Sequence, residues 1–123
     1  MSSILIVDDS LDSREFCGLI VEMHNIPVKQ AGNFDEALKI LEEGFTPDVV
    51  LVDLMMPGRR PEELVKFIKA TPRLAHSKVV VMSALPEVKN RARKMGADTS
   101  VHKPFTMPNF VSALGLQTLT AAP

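Results

Sequence analysis

Five polar side chains stand at the ends of candidate strands in this chain, and their types suit one kind of chemistry. Asp8 and Asp9 follow Ile4-Leu5-Ile6-Val7, and Asp53 follows Val49-Val50-Leu51-Val52. Ser83 follows Val79-Val80-Val81-Met82, and Lys103 follows Thr99-Ser100-Val101-His102 and precedes Pro104-Phe105. Three carboxylates gathered in a partly buried place repel one another and resist ionisation. A hard divalent cation removes that conflict, and Mg²⁺ accepts carboxylate oxygens while keeping positions for water and a phosphate oxygen. Lys103 adds a compact positive charge and Ser83 a hydroxyl donor. Together they suit a phosphoryl group carried on, or passed to, a carboxylate. That reaction needs a nucleophilic oxygen in line with phosphorus and cations on the equatorial oxygens.

The elements that must position these groups alternate in type. Residues 4–7, 49–52 and 79–82 are continuous apolar runs rich in β-branched residues, the pattern of strands buried on both faces of a parallel sheet. Residues 28–31 and 99–102 are mixed in polarity and read as edge strands. Phe16, Leu19, Ile20 and Met23 recur at helical spacing, as do Phe34, Ala37, Leu38 and Leu41, and Met107, Phe110, Val111 and Leu114. Leu64, Phe67 and Ile68 give a shorter stripe, and Val88, Ala92 and Met95 a weaker one. Asn33 with Glu36 reads as a capping box, Gly44 as a residue past a helix end, and Pro61, Pro86 and Pro108 as markers of first turns. Five strand–helix pairs imply right-handed crossovers and a sheet covered on both faces. In such sheets ligands bind beyond the carboxyl ends of the central strands, where the five polar residues fall.

Composition limits the alternatives. The chain has 123 residues, 46% hydrophobic and 24% charged, so one globular domain over residues 1–123 is expected, without an appended output domain. A net charge of −1 gives no broad electrostatic case for direct nucleic-acid binding. Met1-Ser2-Ser3 runs into only four apolar residues, too few for a leader or a membrane span, so a cytoplasmic protein is expected. Cys17 is the one cysteine, placed beside the main stripe of its helix and expected to be a half-buried structural thiol. His24, His76 and His102 lack metal-ligand spacing.

The motifs ILIVDD (residues 4–9), VVLVDLMMPG (49–58), VVVMSA (79–84), Gly96-Ala97-Asp98 and Lys103-Pro104-Phe105 resemble the receiver domain of bacterial two-component response regulators. The resemblance covers essentially the whole chain, and it is the joint order and spacing that is specific. It implies a flavodoxin-like (βα)5 three-layer α/β sandwich with a five-stranded parallel sheet of order 2-1-3-4-5. It implies Asp53 as phosphoacceptor, with Asp8, Asp9, Asp53 and the backbone carbonyl of Met55 holding Mg²⁺. Ser83 matches the hydroxyl that moves to the phosphoryl group, Lys103 the lysine that pairs with it, and Pro104 a proline often preceded by a cis bond. A histidine kinase or phosphotransfer protein would be the donor, and a downstream protein the receiver of the signal. The domain would not be a turnover enzyme, only a self-catalysed acceptor that dephosphorylates slowly.

Two alternatives remain beside this reading. One is an adaptor that keeps the fold and uses no phosphate. The other is a haloacid-dehalogenase-like phosphatase, a family that wants a second acid two residues after its nucleophile, where this chain has Met55. Three departures from the receiver pattern bear on the choice. Arg60-Pro61 stands in place of an Asp-Gly pair and Glu62 in place of an apolar residue, with Arg59 and Arg60 beside the expected phosphorylation site. Ser100 replaces the aromatic residue that normally swings with the Ser83 hydroxyl. Met55 and Leu85 are apolar where attacking water would pass, so slow self-dephosphorylation is expected. Lys89, Arg91, Arg93 and Lys94 make one helix basic, a solvated face or a surface for an acidic partner or a second copy.

Overall fold

A computed structural model describes residues 3–116; Met1, Ser2 and residues 117–123, including the terminal Pro123, lie outside it. The order is β1 (Ile4–Val7), α1 (Leu11–Glu22), β2 (Val28–Ala31), α2 (Phe34–Glu42), β3 (Val49–Asp53), α3 (Pro61–Ala70), β4 (Lys78–Ser83), α4 (Val88–Met95), β5 (Thr99–His102) and α5 (Met107–Leu114), with a short 3₁₀ turn at Pro72–Leu74. The five strands are parallel in the order β2-β1-β3-β4-β5, which leaves the two mixed-polarity strands at the edges. Register pairs Val7 with Val52, Asp53 with Met82, and Ser83 with His102. Asp8 and Asp53 therefore leave neighbouring strands at the same level.

Strand alternation divides the apolar side chains between two layers. Leu5, Val7, Val50, Val52, Val79 and Val81 pack under α2, α3 and α4. Ile4, Ile6, Leu51, Val80, Met82 and Val101 pack under α1 and α5 with Phe110, Val111 and Leu114. Each fully buried aliphatic side chain contributes roughly 1.5–3 kcal/mol relative to an exposed one. The helix signals are mostly realised. Asn33 Oδ1 accepts from the Glu36 N–H at 2.8 Å, although Glu36 Oε1 takes its bond from the Gly32 N–H at 2.7 Å. Gly44 follows α2 with φ +111°, and Pro61 opens α3.

The first helix turns a different face to the sheet from the one its periodicity suggests. Phe16, Leu19 and Met23 are about half exposed, whereas Cys17, Ile20 and Val21 are buried. Both sets have helical spacing, so periodicity cannot choose between them. Packing decides: Cys17, Ile20 and Val21 meet Ile4, Ile6 and Leu51 on the sheet, which turns Phe16, Leu19 and Met23 outward. Cys17 is accordingly fully buried, not half-buried. Met107 is also 46% exposed, unlike the rest of its stripe.

Candidate functional site

The strand ends deliver four of the five expected side chains to one place. Asp8 is fully buried, Asp53 is 4% exposed and Asp9 is exposed at the rim. One carboxylate oxygen from each lies within 4.8 Å of the others. Lys103 Nζ donates to Asp53 Oδ2 at 2.7 Å, to Ser13 Oγ at 3.3 Å and to Asp8 Oδ2 at 3.4 Å. The backbone holds the carboxylates in turn: the Met55 N–H donates to Asp53 Oδ1 at 2.7 Å, and the Ser10 N–H to Asp8 Oδ1 at 2.9 Å. Arg14 Nη1 donates to the Asp8 carbonyl at 2.6 Å. The Lys103–Pro104 bond is cis, and Phe105 stacks on the buried Phe110 with centroids 4.8 Å apart, which anchors the segment after the lysine.

Ser83 is placed beside this group but bonds elsewhere. Its hydroxyl accepts the Leu85 N–H at 3.1 Å, while its carbonyl accepts the Lys103 N–H at 2.8 Å. Met55 and Leu85 are both substantially exposed at the mouth of the site.

Burial dominates the electrostatics. It pushes the Asp53 carboxyl above its usual range; the hydrogen bonds from Lys103 and Met55 oppose this, and repulsion from Asp8 adds to it. Burial also works to lower Lys103, but the bond and charge of Asp53, with Asp8, prevail and raise it, so the ammonium is secure. Burial raises the Cys17 thiol beneath the site to about 11, which keeps it protonated and inert. Three carboxylates facing one ammonium leave negative charge uncompensated. All the donors are hard oxygens, the set that suits Mg²⁺.

The whole arrangement can be compared with known proteins. A family model described as the response regulator receiver domain matches residues 4–115. The chain belongs to that family. It is 30% identical over 113 residues to the phosphate regulon transcriptional regulatory protein PhoB of Klebsiella pneumoniae, covering 90% of this chain and 49% of PhoB. It is 33% identical over 111 residues to the chemotaxis protein CheY of Halobacterium salinarum, covering 90% of this chain and 92% of CheY. The chain thus spans about half the length of PhoB but nearly all of that CheY. Among solved structures, the chemotaxis response regulator CheY4 of Vibrio cholerae superposes with a TM-score of 0.82 at 25% identity, over 94% of this chain and 97% of that one. The flavodoxin-like receiver fold expected from the sequence is therefore the observed one. No helix among the described residues is long and apolar enough to cross a membrane.

Sequence reasoning missed two residues that this receiver domain places at its site. Ser13 and Arg14, in the first turn of α1, bind Lys103 and the Asp8 carbonyl respectively. Their only sequence signal is polarity on the turn that follows an acidic strand end. The unusual loop residues are also engaged. The Arg59 guanidinium lies 3.8 Å from the Phe34 ring centroid and pairs with Asp35 and Glu63, so it leans on α2. Glu62 forms a two-pronged pair with Arg91 of α4 at 3.0 and 3.1 Å. The bond from Arg91 outweighs partial burial and holds the Glu62 carboxyl below its usual range. Arg91 is thereby committed within the chain, while Lys89, Arg93 and Lys94 remain exposed. Of the histidines, His24 Nδ1 bonds the Ile20 carbonyl, His76 lies 3.6 Å from Asp48, and His102 Nε2 reaches the Ala84 carbonyl at 3.1 Å.

Proposed function

We propose that the chain is a phosphorylatable receiver that accepts a phosphoryl group onto Asp53 from a histidine kinase or phosphotransfer protein and signals through contact with a downstream protein in the cytoplasm. The observation that supports this most is the near-buried Asp53 carboxylate bonded to Lys103 Nζ at 2.7 Å, with Asp8 and Asp9 oxygens within 4.8 Å. In the transfer, an Asp53 oxygen forms a bond to phosphorus as the donor's P–N bond breaks, and the released imidazole keeps the electron pair and takes up a proton. Lys103 stabilises the equatorial oxygens, and Ser83 donates its hydroxyl to one of them after leaving the Leu85 N–H. Asp8, Asp9, Asp53 and the Met55 carbonyl would hold Mg²⁺, which supplies charge neutralisation to the transferring group. The domain is an acceptor that acts once per signal rather than a turnover enzyme.

Incubation with Mg²⁺ and acetyl phosphate tests this reading. An acid-stable, base-labile adduct that disappears in Asp53→Ala is expected. No adduct would favour the adaptor reading, and rapid hydrolysis of phosphate monoesters would favour the phosphatase.

A further inference from the structure

Position 100 carries serine, where the resemblance leads one to expect an aromatic residue that swings as the Ser83 hydroxyl moves, so no such side chain acts on the β4–α4 loop. The loop is nevertheless held. Strand alternation sends Val101 into the α1/α5 layer, which leaves Ser100 and His102 on the side of β5 that faces α4. The β4–β5 register sets His102 opposite Ser83, and the imidazole reaches one residue further, to the Ala84 carbonyl at 3.1 Å. A carbonyl can only accept, so His102 Nε2 carries the proton and donates. Three bonds then hold residues 83–85: Lys103 N–H to the Ser83 carbonyl, Leu85 N–H to Ser83 Oγ, and, on the exposed side, His102 Nε2–H to the Ala84 carbonyl. Both β5 bonds leave consecutive residues, which ties the loop to the strand end that also carries the Lys103 side chain.

We propose that His102 is a positioning residue that holds the β4–α4 loop, and through it the Ser83 hydroxyl, in the unphosphorylated arrangement. This inference rests on the receiver reading, because it concerns what Ser83 must do when a phosphoryl group arrives. When the Ser83 hydroxyl turns to that group, the Leu85 N–H loses its acceptor and the backbone at 84–85 has to readjust. The bond from His102 to Ala84 opposes that readjustment. Removing it makes the switched arrangement easier to reach, since a ligand that favours one of two states binds more tightly once the other state is weakened.

The test uses the full chain titrated with beryllium fluoride in saturating Mg²⁺, a stable stand-in for the acyl phosphate, followed through the amide resonances of Ala84 and Leu85. His102→Ala is expected to bind beryllium fluoride roughly two- to tenfold more tightly than the parent, the range that loss of one net hydrogen bond permits. Its Mg²⁺ affinity, which does not involve Ser83, should stay unchanged. His102→Gln, which keeps a side-chain N–H donor, should return toward the parent value. A His102→Ala variant that is less stable but binds beryllium fluoride equally or more weakly would show a merely structural histidine and overturn the inference. A parent chain that binds no beryllium fluoride in Mg²⁺ would instead overturn the receiver reading itself.

Discussion

Replacing Asp53 with asparagine should stabilise the metal-free protein, and the site geometry says by roughly how much. Asp53 and the fully buried Asp8 present oxygens within 4.8 Å of each other. Two charges at that separation repel by about 3.5 kcal/mol at an effective dielectric of about 20, while Lys103 at 2.7 Å attracts Asp53 by about 6 kcal/mol on the same scale, so the sign is set by burial of the carboxylate, the largest contribution. Lys103 serves both carboxylates, so removing one charge does not strand it: Asp8 Oδ2 and Ser13 Oγ remain as acceptors. An asparagine oxygen can still accept from the Met55 N–H. The sign agrees with the ionisation behaviour. A carboxyl whose folded pKa lies above its unfolded value contributes stability only while protonated, and that contribution is lost as pH rises through the folded pKa. At neutral pH the charged Asp53 is therefore a net cost. Asp53→Asn should gain about 1–2 kcal/mol in chelator, at the low end for dismantling buried charge, or about 4–8 °C in Tm. Mg²⁺ should reverse the order, because binding at 100 times its Kd stabilises the parent by about 2.7 kcal/mol and the variant far less. Thermal unfolding of both proteins in chelator and in Mg²⁺, with exposed Asp12→Asn as control, measures all four values. An Asp53→Asn protein less stable than the parent in chelator, or equally stabilised by Mg²⁺, would refute the reasoning.

Three further outcomes are expected. Met55→Asn with Leu85→Glu should shorten the phosphoryl lifetime, since both positions line the exposed approach to Asp53 and now offer water no polar partner; an unchanged decay rate in a phosphate-release assay would argue against this. Ile20→Ala should cost about 2–4 kcal/mol by denaturant titration while Phe16→Ala on the same helix costs under about 1, because only the former opens a cavity; equal losses would place the wrong face of α1 on the sheet. Asp98 accepts from Lys69 Nζ at 2.6 Å and the Val79 N–H at 2.7 Å, and although burial works to raise its carboxyl, these bonds hold it below the usual range. Asp98→Ala should therefore cost about 1 kcal/mol at neutral pH, and the gap to the parent should close as pH falls below about 4, where the native carboxylate takes up its proton. A gap constant down to pH about 2 would contradict that assignment.

The strand ends were readable because β1, β3 and β4 are apolar on both faces and stop abruptly at Asp8, Asp53 and Ser83. The parallel register then leaves little freedom in where those side chains meet. The orientation of α1 was not readable, since Phe16-Leu19-Met23 and Cys17-Ile20-Val21 are both good helical stripes. What separates them is which set fits against Ile4, Ile6 and Leu51, a property of the partner strands. Ser13 and Lys103 are 90 residues apart, so their bond leaves no local trace in sequence. The same holds for Glu62 with Arg91, where a charged residue at an apolar position reads as a departure until the bridge across α3 and α4 accounts for it. Ser83 ends β4, the strand beside that of Asp53, but its bond to the Leu85 N–H is a rotamer choice that no sequence pattern encodes.

The most direct test of the central claim is to find where the phosphoryl group goes. After exposure to acetyl phosphate and Mg²⁺, borohydride reduction converts an aspartyl phosphate to homoserine, which peptide mass spectrometry locates. The geometry of Asp53, Lys103, Asp8 and Asp9 predicts homoserine at position 53 alone, dependent on Mg²⁺. Homoserine at another aspartate, or none under conditions where the protein is folded, would contradict the account.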